Sequence, residues 1–471
     1  MSELVRQGLV AWLMLTIALS HAGESLKQDP STLVFPTFLH TYGIRKATQF
    51  HLFLFTNNRV KFENPQGLAV VRLRAWEDTT TTRDDDEVTV YGVNSGQNNI
   101  IYNKSMKSIG VYGLDEQGNH RLNAPHGIAA NEFGDVYVCD SGNHRVVKLR
   151  NEDNELVFRK AAGARGEAAG MFRAPRGVTL DSENNVYVTD RDNHRVQVFS
   201  PDLDYLYEWG GLSGPDAIAV TDRGQRWSYF KEEFVVVIDS ANQRLQKFDL
   251  KGNVLGLISA SQMGVKQPYF AFLALDYYNN IYITDAKNHC IHKLNHRLLY
   301  LTSYGQRGDG DREFIEPRGI TMYRRFGQIF VAEKYGAQYY WVGADCYRFE
   351  TTPLPDARTV KFRYFLTEHA FVTADILDED NNLITRLWTK RMKATGMQQD
   401  IWDGRIFAVP DSVFGKEKLT PTLRFKDLKN IPNGRYKVRY KIEPTYSSYH
   451  HFEKIFSDEF LIEFSQDGAM E

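Results

Sequence analysis

The chain of 471 residues has little of what marks several protein classes. Its 15 Pro and 35 Gly are too few for a collagen-like or Pro-rich disordered protein. Its three Cys, an odd number, cannot make a disulfide framework, so we expect Cys139, Cys290 and Cys346 to be reduced or buried, with no disulfide. The formal net charge is −2, from 57 Lys plus Arg against 59 Asp plus Glu. This balance argues against a nucleic-acid partner.

Long hydrophobic runs are scarce as well. The apolar run Gly8–Ser20 is shorter than the about 20 residues that a membrane span requires. Arg6 precedes it, and Ser20-His21-Ala22 places small residues where a signal peptidase cuts. We therefore expect residues 1–22 to be a signal peptide, with an uncleaved anchor or a short buried helix as the alternatives. The mature protein is then expected to be secreted, periplasmic or on the cell surface, without a membrane span.

A repeat of about 50 residues organises the middle of the chain. Each unit opens with Pro, usually as Pro-x-Gly, and continues with an alternating strand and a turn such as Asp-Ser-Gly-Asn. The six opening residues are Pro65, Pro125, Pro175, Pro215, Pro268 and Pro317. We interpret each unit as a four-stranded antiparallel blade. Units this short cannot bury a core alone, so they are expected to stack radially.

The tripeptides at 143–145 and 193–195, and in part Asn288-His289, resemble the NHL repeat, which is named for Asn-His-Leu at this position. The resemblance implies an all-β fold, with a six-bladed NHL-type β-propeller over residues 23–345. Residues 30–64, including the apolar stretch Leu52–Phe55, are expected to supply strands that close the ring. Because a ring separates equivalent positions, His144, His194 and His289 are expected to be structural and not to form a metal cluster.

A different pattern begins after Trp341. Three successive strands are predicted between residues 360 and 388, with a hairpin turn at 378–382. Trp402-Asp403-Gly404 and then Asn433-Gly434 follow. This order resembles the immunoglobulin-like domain of the flagellar hook-cap (FlgD) family. The resemblance implies an immunoglobulin-like β-sandwich over residues 346–471, in an envelope protein of a bacterium.

The residue after each opening Pro is expected to lie near the mouth of the central channel. These candidate ligand-binding residues are Gln66, His126, Arg176, Asp216, Tyr269 and Arg318. Arg176 and Arg318 come from opposite blades of a six-fold ring, and two converging guanidinium groups suit a carboxylate or a phosphate. The alternative is that both arginines pair with local carboxylates such as Asp216, or face water.

The site residues of two similar propeller families are incomplete in this chain. Peptidyl-hydroxyglycine lyases resemble this repeat family and place His at the mouth position in three blades to hold zinc, whereas only His126 is present here. Gluconolactonase-like propellers coordinate calcium through an acidic residue near the first blade, where Gln66 lies. We therefore expect no catalytic residue, no metal, no cofactor and no enzyme activity. The acidic loop 84–87 offers oxygen ligands for calcium, with a solvated charged loop as the alternative.

These observations favour a secreted or periplasmic non-catalytic binding or scaffold protein. One alternative is a structural subunit of a bacterial surface filament or envelope complex. The other is a hydrolase or lyase that acts in the channel. The expected partner is a protein of the bacterial envelope or the extracellular space, with an anionic ligand as a second candidate.

Overall fold

The structure is a computed structural model that describes residues 31–35, 45–76, 88–105, 108–354, 359–407, 428–446 and 454–462. The predicted signal peptide (1–22) and the acidic loop (84–87) lie outside these residues. Residues from Thr32 onward belong to one compact unit. Over the ranges just given, no helix is both long enough and apolar enough to cross a membrane.

Two short strands and one helix precede the repeats: β1 (Leu33–Val34), β2 (Lys46–Thr48) and α1 (Gln49–Thr56). The expected strand at Leu52–Phe55 is therefore wrong, because these residues lie in α1. The cause is local. Their apolar side chains follow one another instead of alternating as in a half-buried strand. His51, the third residue of α1, also accepts a hydrogen bond at Nδ1 from the amide of Thr48 at 3.1 Å, as in a capping box.

Five four-stranded antiparallel sheets follow, each built from consecutive strands. Sheet one consists of β3 (Pro65–Val71), β4 (Thr89–Asn94), β5 (Asn99–Ser105) and β6 (Ser108–Tyr112), and sheet two of β7 (Pro125–Ala130), β8 (Asp135–Asp140), β9 (Arg145–Glu152) and β10 (Glu155–Ala162). Sheet three consists of β11 (Pro175–Leu180), β12 (Val186–Asp190), β13 (Arg195–Phe199) and β14 (Tyr205–Trp209), and sheet four of β15 (Pro215–Thr221), β16 (Phe234–Asp239), β17 (Arg244–Phe248) and β18 (Val254–Ser259). Sheet five consists of β19 (Phe270–Leu275), β20 (Ile281–Asp285), β21 (Cys290–Leu294) and β22 (Tyr300–Tyr304).

Sheet six combines the end of the repeat region with the N-terminal strands. It follows a short parallel pair, β23 (Gln306–Arg307) and β24 (Glu313–Phe314). Its own strands are β25 (Ile320–Tyr323), β26 (Gln328–Glu333) and β27 (Gly336–Val342). Both β1 and β2 pair with β27 in antiparallel register. The N-terminal segment therefore forms the outer edge of this sheet.

The inner strands of neighbouring sheets approach each other closely at the Pro-x-Gly motif. A Cβ atom at Gly127 would lie 2.3 Å from the carbonyl oxygen of Arg176 on the next inner strand. A Cβ atom at Gly319 would lie 2.1 Å from the carbonyl oxygen of Gln66. Only glycine allows this approach. The last inner strand, β25, thus lies against the first, β3.

A buried carboxylate explains why Asp-x-x-Asn-x-Arg recurs. Asp140, at the end of β8, accepts hydrogen bonds from Arg145 Nε at 2.7 Å, from Asn143 Nδ2 at 2.9 Å and from the amide of Asn123 at 2.7 Å. Equivalent bonds hold Asp190 in sheet three and Asp239 in sheet four. The motif therefore closes the turn between the second and third strands of sheets two, three and four.

The three repeat histidines connect one sheet to the next. His144, His194 and His289 adopt left-handed backbone conformations, with φ of 55°, 57° and 56°. Each Nδ1 accepts a hydrogen bond from a backbone amide that precedes the next inner strand, at 3.0 to 3.1 Å. The three imidazoles thus have the same local structural contact in three separate sheets.

The chain from Cys346 onward forms two further antiparallel sheets and a two-stranded pair. Its strands are β28 (Cys346–Pro353), β29 (Val360–Leu366), β30 (Ala370–Leu377), β31 (Leu383–Lys393), β32 (Gly396–Trp402), β33 (Arg405–Phe407), β34 (Leu428–Asn430), β35 (Gly434–Pro444) and β36 (Lys454–Ile462). The two sheets have strand orders β28-β29-β32 and β31-β30-β35-β36. They share one hydrophobic core, to which Phe362 and Tyr364 contribute from one sheet and Ile376 and Tyr440 from the other.

A buried polar cluster joins these sheets to sheet five. Glu368 and Lys293 form an ion pair of 2.5 Å in which both side chains are at most 1 % exposed. Asn280 Nδ2 donates to Glu368 at 3.2 Å. Beside this pair, the rings of Tyr278 and His369 stack with centroids 3.9 Å apart. The junction is therefore packed and charge-compensated.

Candidate ligand site at the channel mouth

The six inner strands surround a cavity of about 210 Å³. Its wall is mostly small and aliphatic, with side chains that include Leu68, Ile128, Val178 and Ile218. Arg324 lies on this wall and donates to Thr221 Oγ1 and Val220 O at 3.3 Å. Burial lowers the pKa of Arg324 to about 10. The cavity is thus lined by small and aliphatic residues whose backbone groups make most of its surface polar, with the positive charge of Arg324 held in its wall.

Five of the six predicted mouth residues occupy equivalent positions. Gln66, His126, Arg176 and Asp216 are each the second residue of an inner strand. Arg318 is in the same register, because Ile320 pairs with Val331 as Ile128 pairs with Val138 in sheet two. These five positions surround one end of the channel.

Tyr269 lies two positions before the mouth register. Phe270 pairs with Asp285 as Pro125 pairs with Asp140, so Ala271 is the equivalent of His126. Tyr269 still contacts the site. Its hydroxyl accepts from Arg318 Nη1 at 3.4 Å, and the guanidinium lies 5.2 Å from its ring centroid. The sequence contains the correct register, because the opening residue stands 15 positions before the Asp in sheets two and three, and Phe270 stands 15 before Asp285.

His126 is the buried centre of the site. Its ring stacks on Phe272 from sheet five, with centroids 5.0 Å apart and an interplanar angle of 20°. Its Nδ1 lies 3.2 Å from the carbonyl oxygen of Arg176. Burial, followed by the charges of Arg176 and Arg318, lowers the pKa of His126 well below its usual value. A carbonyl oxygen only accepts, so Nδ1 carries the proton and Nε2 has a free lone pair.

Three guanidinium groups lie within electrostatic reach of this neutral imidazole, those of Arg176, Arg191 and Arg318. Arg191 Nε lies 3.4 Å from Asp216 Oδ1. Asp216 Oδ2 in turn accepts from Ser240 Oγ at 2.6 Å.

The other two arginines differ in their partners. The Nη2 of Arg318 lies 3.6 Å from Oε2 of Glu316. The Nε of Arg176 is buried and has no hydrogen-bonding partner among the residues that the structure describes. Positive charge is therefore in excess at the mouth.

Two residues of the site were missed by the sequence analysis. Arg191 follows the buried Asp of sheet three, whereas Ser141 and Ser240 follow it in sheets two and four. This difference in the sequence could have indicated that Arg191 belongs to the site. Phe272 occupies the Gly position of sheet five, which the displaced register concealed. Gln66, which was predicted, donates to Asn64 Oδ1 at 2.8 Å and so makes a local contact.

Comparison with known proteins supports the repeat assignment. Residues 122–149 and 172–199 match the NHL repeat, so the chain carries NHL repeats. By sequence, no curated protein matches the chain. Similar solved structures include a streptogramin B lyase, with 13 % identity and a TM-score of 0.41 over 60 % of this chain and 95 % of that one. A gluconolactonase from Xanthomonas campestris has 10 % identity and a TM-score of 0.44 over 67 % of this chain and 96 % of that one.

The prediction that the chain is not an enzyme is wrong in the light of these comparisons, since similar structures include named enzymes. That prediction followed from the lack of a three-His zinc site and of an acidic calcium ligand at the mouth. A propeller-like fold supports different chemistries at different residues. The absence of two known residue sets therefore does not exclude catalysis.

Proposed function

We propose that the channel mouth binds an organic anion. The main support for this proposal is Arg176, whose buried Nε lacks a hydrogen-bonding partner among the described residues. A buried polar group without a partner costs about 1–3 kcal/mol, and an anionic oxygen of a ligand would remove that cost. The guanidinium groups of Arg191 and Arg318 add positive charge around the same imidazole.

The surroundings favour a carboxylate with an apolar tail over inorganic phosphate. Arginine binds carboxylates in a bidentate manner, which fixes the orientation of the ligand. Behind the arginines, the ring of Phe272 and aliphatic side chains such as Ile128 and Val178 offer some apolar surface. Ligand sites commonly combine an apolar wall with a few polar groups of this kind.

Isothermal titration with benzoate, and with inorganic phosphate for comparison, tests this function. Arg176→Ala is expected to weaken benzoate binding about 10- to 150-fold, as for a charged hydrogen bond. Arg159→Ala is the control, because Arg159 is an exposed arginine on β10. Equal affinities for the wild type and Arg176→Ala would exclude the mouth as the site.

Proton transfer by His126 is a second candidate function, which corresponds to a channel-active lyase or hydrolase. It is favoured by the tautomer, because Nδ1 faces a carbonyl oxygen and leaves Nε2 as an unprotonated base beside the arginines. His126→Gln is expected to retain ligand binding and to lower turnover of a reactive carboxylate substrate about 10²- to 10⁴-fold. Retained turnover in His126→Gln would exclude this role.

We also propose a finer architecture and a location. The six sheets would be the blades of one propeller over residues 23–345, which the contact of Gly319 with Gln66 supports. Residues 346–471 would form an immunoglobulin-like domain, which the shared core of two sheets supports. The protein would act outside the cytoplasm, with a partner in the bacterial envelope. N-terminal sequencing of protein from its own host tests the location, since cleavage after Ala22 leaves Gly23 first.

A further inference from the structure

Sheet five departs from the buried Asp–Arg pattern of its neighbours. In sheets two, three and four, an arginine Nε bonds to the buried Asp at 2.7 to 2.9 Å. In sheet five the carboxylate remains as Asp285, but Cys290 pairs with it where Arg195 pairs with Asp190 in sheet three. His292 likewise stands where sheet three has Gln197. Two of the polar positions around this carboxylate have therefore changed chemistry together.

The substitution removes the positive charge that balances the carboxylate. Asp285 is fully buried, and among the described residues no arginine or lysine side chain pairs with it. Its partners on β21 are instead a thiol and an imidazole, and it also accepts hydrogen bonds from the backbone amides of Tyr269, Lys287 and Asn288 and from Asn288 Nδ2. These hydrogen bonds stabilise the buried carboxylate, but they bring no positive charge to balance it. A bound cation would take the place of the missing guanidinium.

The three side chains are arranged as metal ligands. Asp285 Oδ2, Cys290 Sγ and His292 Nε2 all lie within 4.8 Å of one another. Nε2 is 3.2 Å from Oδ2 and 3.6 Å from Sγ. Tetrahedral zinc with ordinary bond lengths would place these pairs about 3.3 and 3.5 Å apart. Two of the three ligand pairs thus already have the spacing of a zinc site, and the third pair lies within 4.8 Å.

The geometry does not fit a nucleophilic triad. In a triad, one imidazole nitrogen faces the nucleophile and the other faces the carboxylate. Here the same atom, Nε2 of His292, faces both the thiol and the carboxylate. Its Nδ1 faces the hydroxyl of Tyr300 at 3.3 Å. An imidazole that binds metal through Nε2 commonly has a partner of this kind on its other nitrogen.

We propose that Asp285, Cys290 and His292 bind a zinc ion that links β20 to β21. A thiolate, an imidazole and a carboxylate are ordinary zinc ligands, and three of them leave one tetrahedral position open. The site was not found from the sequence because metal binding was considered only at the mouth, among His144, His194 and His289, and in the acidic loop 84–87. It lies within one sheet, and the proposal does not rest on anion binding at the channel.

Cobalt substitution of the purified full chain tests the site. Wild-type protein stripped with chelator is expected to bind one equivalent of Co²⁺ with a thiolate-to-cobalt charge-transfer band, which Zn²⁺ abolishes. Cys290→Ser should lose this band. Cys139→Ser, which changes another buried cysteine, should keep it. Tyr300→Phe should weaken Zn²⁺ binding about 10- to 100-fold, as for loss of a partner to a ligating histidine.

A double variant tests the zinc site even if the single variants unfold. Cys290→Arg with His292→Gln restores the residues of sheet three. This protein is expected to fold, to bind no Co²⁺ and to show a melting temperature that Zn²⁺ does not raise, whereas Zn²⁺ raises that of the wild type. A wild type that binds no Co²⁺, or a charge-transfer band that persists in Cys290→Ser, would overturn the assignment.

Discussion

At the scale of single residues, the buried Asp at the end of the second strand depends on several polar partners inside the protein. Asp140 has no exposed surface, and its carboxylate is compensated by Arg145 and by two amide donors. The arginine is itself held by the backbone carbonyl groups of Asn119 and Arg121. A buried charge is costly when its partner is removed, while a matched change of both partners is much less so.

Arg145→Met is therefore expected to lower the free energy of unfolding by about 3–5 kcal/mol, because Asp140 keeps its charge without a counterion. The double variant Asp140→Asn with Arg145→Met should recover a large part of this loss. Arg223→Met, at an exposed ion pair, should cost less than about 1 kcal/mol. Urea unfolding of the four proteins provides the measurement. Equal losses for Arg145→Met and Arg223→Met would contradict the argument.

At the scale of elements, the strands are predictable where their pattern is local. Alternating Val-Tyr-Val segments and Asp-turn motifs give the second and third strands of sheets two and three directly. The register of sheet five is not predictable from Pro268, because Phe270 takes the place of the opening Pro. The stack of His126 on Phe272 depends on two strands that are distant in sequence, so no local pattern reveals it.

The closeness of the inner strands gives a prediction at the same scale. Gly127→Ala would place a Cβ atom 2.3 Å from the backbone of the next strand, which cannot move aside as a side chain can. We expect a loss of about 1–3 kcal/mol from overpacking, together with weaker benzoate binding, because Arg176 lies on the displaced strand.

Gly256→Ala is the matched control, since its nearest neighbour would be a leucine side chain at 3.5 Å. It should change neither stability nor binding by much. Thermal melts and titrations of both variants provide the comparison. A Gly127→Ala protein that melts and binds like the wild type would show that the inner strands can separate freely.

At the scale of the whole molecule, the junction between sheet five and the C-terminal sheets concentrates buried charge. Burial opposes ionisation of Glu368, but the ammonium group of Lys293 lowers its pKa to about 2. Burial and the charge of Glu368 raise the pKa of neighbouring Asp276 to about 8. One carboxyl group is thus held charged and the other neutral at neutral pH.

The raised pKa of Asp276 predicts a pH dependence of stability. In the unfolded chain this carboxyl group has a pKa near 3.8. Its contribution to the free energy of unfolding is therefore complete below that pH and is lost as pH rises through about 8. Between pH 5 and pH 8.5 the wild type should lose more unfolding free energy than Asp276→Asn. Asparagine can still accept from the amides of Tyr278 and Asn280 at Oδ1.

Asp249→Asn is the control for this experiment, because Asp249 forms the same kind of turn on the surface of sheet four. Its stability curve should follow that of the wild type across this pH range. Urea unfolding at several pH values measures all three proteins. Parallel curves for the wild type and Asp276→Asn would rule out a neutral Asp276.

The sharing of sheet six between both ends of the repeat region has a consequence for biosynthesis. Leu33 pairs with Val342, so β1 leaves the ribosome long before its partner strand exists. At about 5–20 residues per second, that interval is roughly 15 to 60 s. During it, sheets one to five can form in order while β1 and β2 have no strand to join. A nascent chain stalled before β27 should therefore be cut by protease near its N-terminus and become resistant once translation resumes.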